Sequence, residues 1–117
     1  MFTKRKDYDK ISLEVITVVK HIILWNLKEE YSVQRKNEIK DGIKKGLEGL
    51  LGKIEGLTEI KVYTEGLESS NADLMLDSTF ESEKALKNYA VHPAHVEIAD
   101  TLVRPFTAHR SCLDFKI

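Results

Sequence analysis

The chain has 117 residues, which fits one domain of ordinary size. Its 18 basic and 19 acidic residues give a formal net charge of -1, so no global field favours nucleic acid or an anionic membrane as a partner. A single cysteine, Cys112, excludes an intrachain disulfide and fits a reducing compartment. No apolar run approaches the roughly 20 residues of a membrane span, so we expect a cytoplasmic protein with no membrane partner.

The first predicted strand covers residues 18–28 and follows a polar N-terminal arm at residues 1–15; residues 16–117 form the predicted domain. The strand is rich in β-branched and large apolar residues. Its alternation puts His21, Ile23, Trp25 and Leu27 on one face, and the opposite face is also largely apolar. A strand that is apolar on both faces is normally covered on both.

A helix is predicted over residues 31–51, where apolar side chains recur with helical period. Ser32 is its expected N-cap and Gly52 its expected C-terminal stop. The helix contains three glycines on nearly one side, at Gly42, Gly46 and Gly49. Each costs about 1 kcal/mol inside a helix, so they indicate close packing against a neighbour or, alternatively, a ligand against bare backbone.

Two further strands, at residues 57–64 and 72–80, are joined by a short polar loop and predict an antiparallel hairpin. Ser82 is the expected cap of a short helix that ends near residues 89–91. Another helix covers residues 93–103, and the last strand covers residues 108–117. Cys112 is expected to be a small core residue of that last strand.

A histidine-proline step, His92-Pro93, sets the corner between the last two helices. Proline suits the first turn of a helix and pushes the residue before it out of the helical region. Tyr89, His92 and His95 therefore surround one corner, where they can converge on a cavity. His92 can instead serve as the cap of the helix that begins at Pro93.

The element order is β-α-β-β-α-β, with the second helical unit broken in two. This order predicts a ferredoxin-like α+β fold, with an antiparallel sheet that carries its helices on one face. The opposite face would be bare in a single chain, although its side chains are apolar. We therefore predict a homodimer that packs through this sheet face.

Six segments carry a resemblance to a known family, in this order: VKHIILW at 19–25, GLEGL at 46–50, STFES at 78–82, YAVHPAHV at 89–96, VRP at 103–105 and DF at 114–115. Together they resemble the stress-responsive dimeric α/β barrel family, often called the Dabb domain, over about residues 18–117. The resemblance implies a homodimer whose two sheets close into a barrel. It also implies a cavity between each sheet and its own helices.

The same resemblance implies candidate catalytic residues. In one plant branch that cyclises linear polyketide chains, a corner histidine works with the tyrosine six residues before it, near a first-strand histidine. The matching positions are His95, Tyr89 and His21. Histidine exchanges protons near neutral pH, and a tyrosine hydroxyl can donate to a carbonyl oxygen. The residues expected to contact a ligand are Trp25, Ile23, Leu76 and His92.

The leading hypothesis is a stress-associated protein that binds a small, mostly apolar carbonyl compound between sheet and helices. The first alternative is an acid-base enzyme that uses His95 and Tyr89 for an aldol or Claisen cyclisation or an isomerisation. The second is a purely structural dimer. We expect no cofactor and no metal, because His92, His95 and His21 lack an acidic partner at metal-binding spacing. The sequence identifies neither the ligand nor the stress.

Overall fold

The computed structural model describes residues 17–117, and the arm predicted at residues 1–15 lies outside them. In chain order the elements are β1 (Val19–Leu27), α1 (Val33–Glu48), β2 (Leu57–Tyr63), β3 (Leu74–Phe80), α2 (Glu83–Val91), α3 (Pro93–Ile98), a π-helical turn (Ala99–Val103), a 3-10 turn (Arg104–Phe106) and β4 (Thr107–Lys116). This order confirms the predicted ferredoxin-like α+β fold. Among the helices of residues 17–117, none has the length and apolar character that crossing a membrane requires.

The four strands form one antiparallel sheet in the order β2-β3-β1-β4. The predicted hairpin of β2 and β3 is confirmed, and β1 is one of the two inner strands of the sheet. The register places His21 of β1 opposite Ser78 of β3 and Asp114 of β4. Three residues far apart in the sequence therefore share one row of the sheet.

The helices cover one face of the sheet, and the hydrophobic core lies between the helices and this face. The predicted inward face of β1 is confirmed, because its side chains are buried, and the inward side chains of β3 are buried as well. Apolar side chains of this size each stabilise the fold by about 1.5–3 kcal/mol when fully buried. The core side chains of the sheet and α1 are Val19, Ile23, Trp25, Leu27, Leu57, Val62, Leu74, Leu76, Phe80, Ile39, Ile43 and Leu47.

The opposite face of the sheet, called the outer face below, also carries apolar side chains. They are Ile22, Leu24, Tyr63, Met75, Leu113 and Phe115. Leu24 is 41% exposed and Leu113 is 63% exposed, because no helix of the described residues covers this face. Lys20 and Asp77, on the two inner strands, form a 2.7 Å ion pair on the same face. The predicted pattern of two apolar faces is therefore present in the fold.

The helix α1 is shorter than predicted. Ser32 caps it as expected, since its Oγ accepts a hydrogen bond from the Arg35 amide at 3.1 Å. The expectation that Gly52 stops the helix is wrong, because α1 already ends at Glu48 and Gly49 is its C-cap. Gly52 lies in the following turn with φ +87°, a left-handed conformation that suits glycine.

The corner between α2 and α3 is as predicted, with α2 ending at Val91 and α3 beginning at Pro93. The helix predicted over residues 93–103 is α-helical only to Ile98, and its remainder is the π-helical turn. The chain also remains helical beyond residue 103, where the predicted helix ends, through the 3-10 turn. Pro105 fits the start of that turn, where its missing N–H removes no intrahelical bond.

The expectation that Cys112 belongs to the core is wrong, because this residue is exposed on edge strand β4. Side chains alternate along β4, and Leu113 and Phe115 lie on the outer face. Cys112 and Asp114 lie on the face that carries the helices. The alternation of side chains along a strand does not predict which of the two faces packs against the helices.

Candidate functional site

A small cavity lies between the sheet and the helices beside the His92-Pro93 corner. Its volume is about 90 Å³. Its apolar walls come from Trp25, Leu47, Leu76, Ala99 and Val103. The polar groups at its walls are His21, Tyr89, His95, Arg104 and Arg110. A mostly apolar cavity with a few converging polar groups is the usual form of a small-molecule site.

Tyr89 is the most buried polar side chain of this cavity, with 1% of its surface exposed. It sits in the last turn of α2 and packs edge-on against Phe80, with 4.9 Å between ring centroids. Its hydroxyl has no hydrogen-bond partner among residues 17–117. Burial raises the pKa of Tyr89 far above the usual range, so the hydroxyl keeps its proton and can donate it to a hydrogen bond.

His95 lies one turn into α3 and stacks on Tyr89, with 4.2 Å between the ring centroids. Its Nδ1 lies 3.3 Å from the Ala90 carbonyl oxygen, which can only accept, so Nδ1 carries the proton. Burial lowers the pKa of His95, and the nearby charges of Arg104, His21 and Arg110 lower it further. The ring is therefore neutral near pH 7, with Nε2 available as a base.

His21 is positioned by the central strand and by its cross-strand neighbour. Its Nδ1 lies 2.5 Å from Asp114 Oδ1, so a protonated Nδ1 donates to the carboxylate. The ring also packs edge-on against Tyr89, with 6.2 Å between the centroids. This hydrogen bond fixes the orientation of the ring, which is 11% exposed as a side chain.

A larger groove of about 510 Å³ adjoins the cavity between α2 and strand β4. His21 and Arg110 line both spaces, so the cavity and the groove meet at these two side chains. Cys112 also lines the groove, and its Sγ lies 3.5 Å from Asp114 Oδ1. Partial desolvation in the groove raises the pKa of the exposed Cys112 thiol, and the Asp114 carboxylate raises it further. Cavity and groove together offer room for a ligand with a small head and a longer tail.

Comparison with known proteins identifies the family. Residues 19–117 match the family model of the stress responsive A/B barrel domain. The chain belongs to this family. A curated relative, the stress-response A/B barrel domain-containing protein HS1 of Arabidopsis thaliana, is 34% identical over 87 residues, which are 69% of this chain and 73% of the relative.

Solved structures agree with the A/B barrel assignment. A dimeric ferredoxin-like protein of unknown function from Bacteroides fragilis has a TM-score of 0.80 and 28% identity, covering 86% of this chain and 96% of that chain. A hydroxynitrile lyase from Passiflora edulis has a TM-score of 0.66 and 20% identity, covering 87% of this chain and 94% of that chain. The second likeness is one of fold alone.

Within this A/B barrel domain, the predicted site residues divide into two groups. Tyr89, His95 and His21 converge on the cavity, and the predicted ligand contacts Trp25 and Leu76 line it. Ile23 is 1% exposed and lies in the core instead. His92 caps α3, since its Nδ1 accepts a hydrogen bond from the Ala94 amide at 3.0 Å. Neither Ile23 nor His92 lines the cavity or the groove.

Three polar groups of this A/B barrel site do not follow from sequence reasoning. Asp114, Cys112 and Arg110 all lie on β4, on the face toward the helices. Their proximity to His21 depends on the register between the first and last strands of the sheet. The alternation within residues 108–117 is the one signal that puts these three side chains on a common face.

Proposed function

We propose that this A/B barrel domain binds a small, mostly apolar carbonyl compound in the cavity beside Tyr89. One observation carries the proposal: a buried, protonated hydroxyl that has no hydrogen-bond partner among the described residues lines an apolar cavity. Such a donor costs about 1–3 kcal/mol when it is left unsatisfied. A ligand oxygen that accepts from Tyr89 relieves this cost, and a carbonyl oxygen is the simplest acceptor on an otherwise apolar molecule.

The dimensions limit the ligand. A cavity of 90 Å³ has room for the head group of a compound, whereas the neighbouring groove of 510 Å³ has room for a tail. An engineered apolar cavity of roughly 150 Å³ binds benzene, so a cavity of 90 Å³ is small for an aromatic ring. We therefore propose an aliphatic or slender carbonyl compound, with its oxygen at Tyr89 and its tail directed past His21 into the groove.

Calorimetric titration with 2-hexanone tests this proposal. Its isostere 2-methyl-1-hexene, in which a methylene group replaces the carbonyl oxygen, is the matched control ligand. We expect the wild type to favour the ketone and Tyr89→Phe to weaken ketone binding about three- to tenfold, the contribution of one neutral hydrogen bond. Affinity for the alkene should stay unchanged. Equal ketone affinity in both proteins contradicts the proposal, and absence of binding favours the purely structural dimer.

A second candidate function is acid-base catalysis on the bound compound, and the state of His95 favours it. A neutral imidazole with Nδ1 engaged by Ala90 leaves Nε2 free to remove a proton next to a carbonyl, while Tyr89 donates to the developing enolate oxygen. The hydroxynitrile lyase among the structural neighbours illustrates that a fold of this kind accommodates an enzyme. The proposed proton transfer depends on His95 and Tyr89 of this chain and not on the chemistry of that lyase.

Deuterium exchange separates binding from catalysis. An enzyme accelerates exchange of the protons next to the carbonyl of 2-hexanone in D₂O above the buffer rate, as followed by NMR. His95→Gln should abolish the acceleration while ketone affinity changes less than about threefold. Exchange at the buffer rate in the wild type contradicts the enzyme hypothesis and leaves the binding proposal as the better account.

The predicted homodimer is part of the proposal. The apolar outer face and the dimeric state of neighbours such as the protein from Bacteroides fragilis support it. A second copy that covers Leu24, Leu113 and Phe115 would remove these side chains from water and close two sheets into a barrel. We also propose a cytoplasmic location, which rests on the use of a single cysteine.

A further inference from the structure

We infer that His21, Cys112 and Asp114 form a binding site for a divalent transition metal ion of the zinc class. One donor atom from each residue lies within 4.8 Å of the other two. The three atoms are an imidazole nitrogen, a thiol sulfur and a carboxylate oxygen, which are the three donor types that zinc takes in proteins. The inference goes beyond the carbonyl-binding proposal, because that proposal assigns no metal ion to these three residues.

The fold brings these donors together on rigid elements. His21 and Asp114 are direct cross-strand partners in β1 and β4, and Cys112 precedes Asp114 by two residues on the same face. A side chain on a paired strand holds its direction better than one on a loop. The three donors therefore share one patch of the sheet without any change in the backbone.

The distances suit a tetrahedral ion after one small movement. Metal-ligand distances of about 2.0–2.3 Å put sulfur about 3.6 Å from either other donor, and nitrogen about 3.4 Å from oxygen. The Cys112 sulfur lies 3.9 Å from His21 Nδ1 and 3.5 Å from Asp114 Oδ1. Only the nitrogen-oxygen distance, 2.5 Å, must increase. The Asp114 side chain can turn, because it is 46% exposed.

Metal binding replaces the hydrogen bond between His21 and Asp114. The neutral imidazole changes tautomer, so that Nδ1 gives up its proton, Nε2 takes one from solvent and Nδ1 is free to bind the ion, while the Cys112 thiol gives its proton to solvent. A thiolate and a carboxylate then balance the charge of the divalent ion. The soft thiolate selects zinc or cobalt over magnesium and calcium.

Three protein ligands leave the fourth position of a tetrahedral ion open to the groove. A site with three protein ligands and one exchangeable position is the arrangement that zinc proteins use to hold water or a small ligand. Arg110 and Lys116 line the same groove and lie on β4 on either side of Cys112 and Asp114. Once the ion is neutralised by its ligands, these two cations favour an anionic group at the open position.

Cobalt titration of the full, untagged, reduced protein tests the inference. We expect one Co²⁺ per chain, a thiolate-to-cobalt absorption band in the near ultraviolet, and displacement of the cobalt by Zn²⁺. Cys112→Ser should remove the band, and Asp114→Asn should weaken binding by more than about 100-fold, since even residues behind the ligands contribute 10- to 100-fold. Both positions are exposed, so both variants should fold, as circular dichroism will verify.

His109→Gln is the matched control, because His109 lies on the same strand but on the outer face. It should bind cobalt as the wild type does. The inference is overturned if saturating Co²⁺ gives no thiolate band, or if Cys112→Ser binds Co²⁺ as tightly as the wild type. Tyr89→Phe, which weakens ketone binding, should bind Co²⁺ as tightly as the wild type, so that failure of the metal site and failure of the carbonyl site can be told apart.

Discussion

The hydroxyl of Tyr89 combines properties that rarely occur together: it is buried, protonated and without a partner among the described residues. Most buried polar groups in native proteins are hydrogen-bonded. An unsatisfied hydroxyl therefore lowers the stability of the ligand-free protein, and it offers a donor to a ligand in the cavity. The same atom is responsible for both effects, so one substitution tests them separately.

Tyr89→Phe should stabilise the ligand-free protein by roughly 1 kcal/mol, because it removes a buried group that lacks a partner and keeps the ring. Urea denaturation with an unchanged m-value is the measurement. Tyr31→Phe, at a half-buried tyrosine that does not line the cavity, is the control and should change stability little. A loss of stability in Tyr89→Phe would mean that the hydroxyl already has a hydrogen-bond partner.

His95 should make stability depend on pH. Burial lowers its pKa in the folded state, so the unfolded state binds more protons and stability is lost as pH falls below about 6.5, the unfolded value. His95→Gln, which does not titrate, should lose less stability between about pH 7 and about pH 5. Urea midpoints at both pH values measure the effect, and parallel losses in the two proteins would rule out this role of His95.

Some site residues are readable from the sequence and others are not. Tyr89 and His95 follow from the His92-Pro93 step, which fixes a corner within eight residues, and from the family resemblance. Asp114 is 93 residues from its partner His21, and their contact depends on strand register. Spacing along the chain holds no information on such a pairing, so Asp114 and Cys112 could not be assigned to the site.

At the scale of elements, patterns predict the existence and faces of helices and strands better than their ends. The boundaries of β1 and β3 follow their apolar alternation, and Ser32 and Ser82 cap their helices as expected. The end of α1 does not follow from the pattern, because Leu50 and Ile54 continue its apolar stripe in a non-helical turn and are still buried. Tertiary burial outweighs helical continuity at that point.

The glycines of α1 differ in their surroundings, which gives a matched pair of variants. A Cβ on Gly46 would lie 2.7 Å from Leu102 Cδ1 and 3.1 Å from Ile98 Cγ2, whereas a Cβ on Gly42 would meet nothing within 4 Å. Close packing therefore explains Gly46 but not Gly42.

Gly42→Ala should stabilise the protein by about 0.5–1 kcal/mol through helix propensity. Gly46→Ala should gain nothing or lose stability, because overpacking costs about 1–3 kcal/mol. Thermal unfolding of both variants measures the difference. Equal stabilisation by the two alanines would refute the close packing of α1 against Ile98 and Leu102.

At the scale of the whole molecule, the two faces of the sheet have different coverings. The helices shield one face, and the outer face exposes Leu24 and Leu113 in the single chain. The sequence alone predicts an exposed apolar face, because the residues of β1 put apolar side chains on both sides of the strand. The sequence therefore predicts that a partner covers the outer face, but it does not predict how the two chains pack against each other.

Leu24→Lys should convert a dimer into a folded monomer at micromolar concentration, because it puts a charge into the centre of the outer face. Sedimentation equilibrium is the measurement. Val33→Lys is the matched control, since Val33 is an apolar residue that is 78% exposed on α1 and should leave the dimer intact. A wild-type protein that sediments as a monomer would contradict the proposed dimer.

The central claim is that the Tyr89 hydroxyl donates to the oxygen of a bound carbonyl compound. The ¹³C chemical shift of 2-hexanone labelled at its carbonyl carbon reports this hydrogen bond directly. The account predicts a downfield shift on binding to the wild type that is largely lost with Tyr89→Phe at matched saturation. The same shift for the ketone bound to both proteins, or no shift with either, would contradict it.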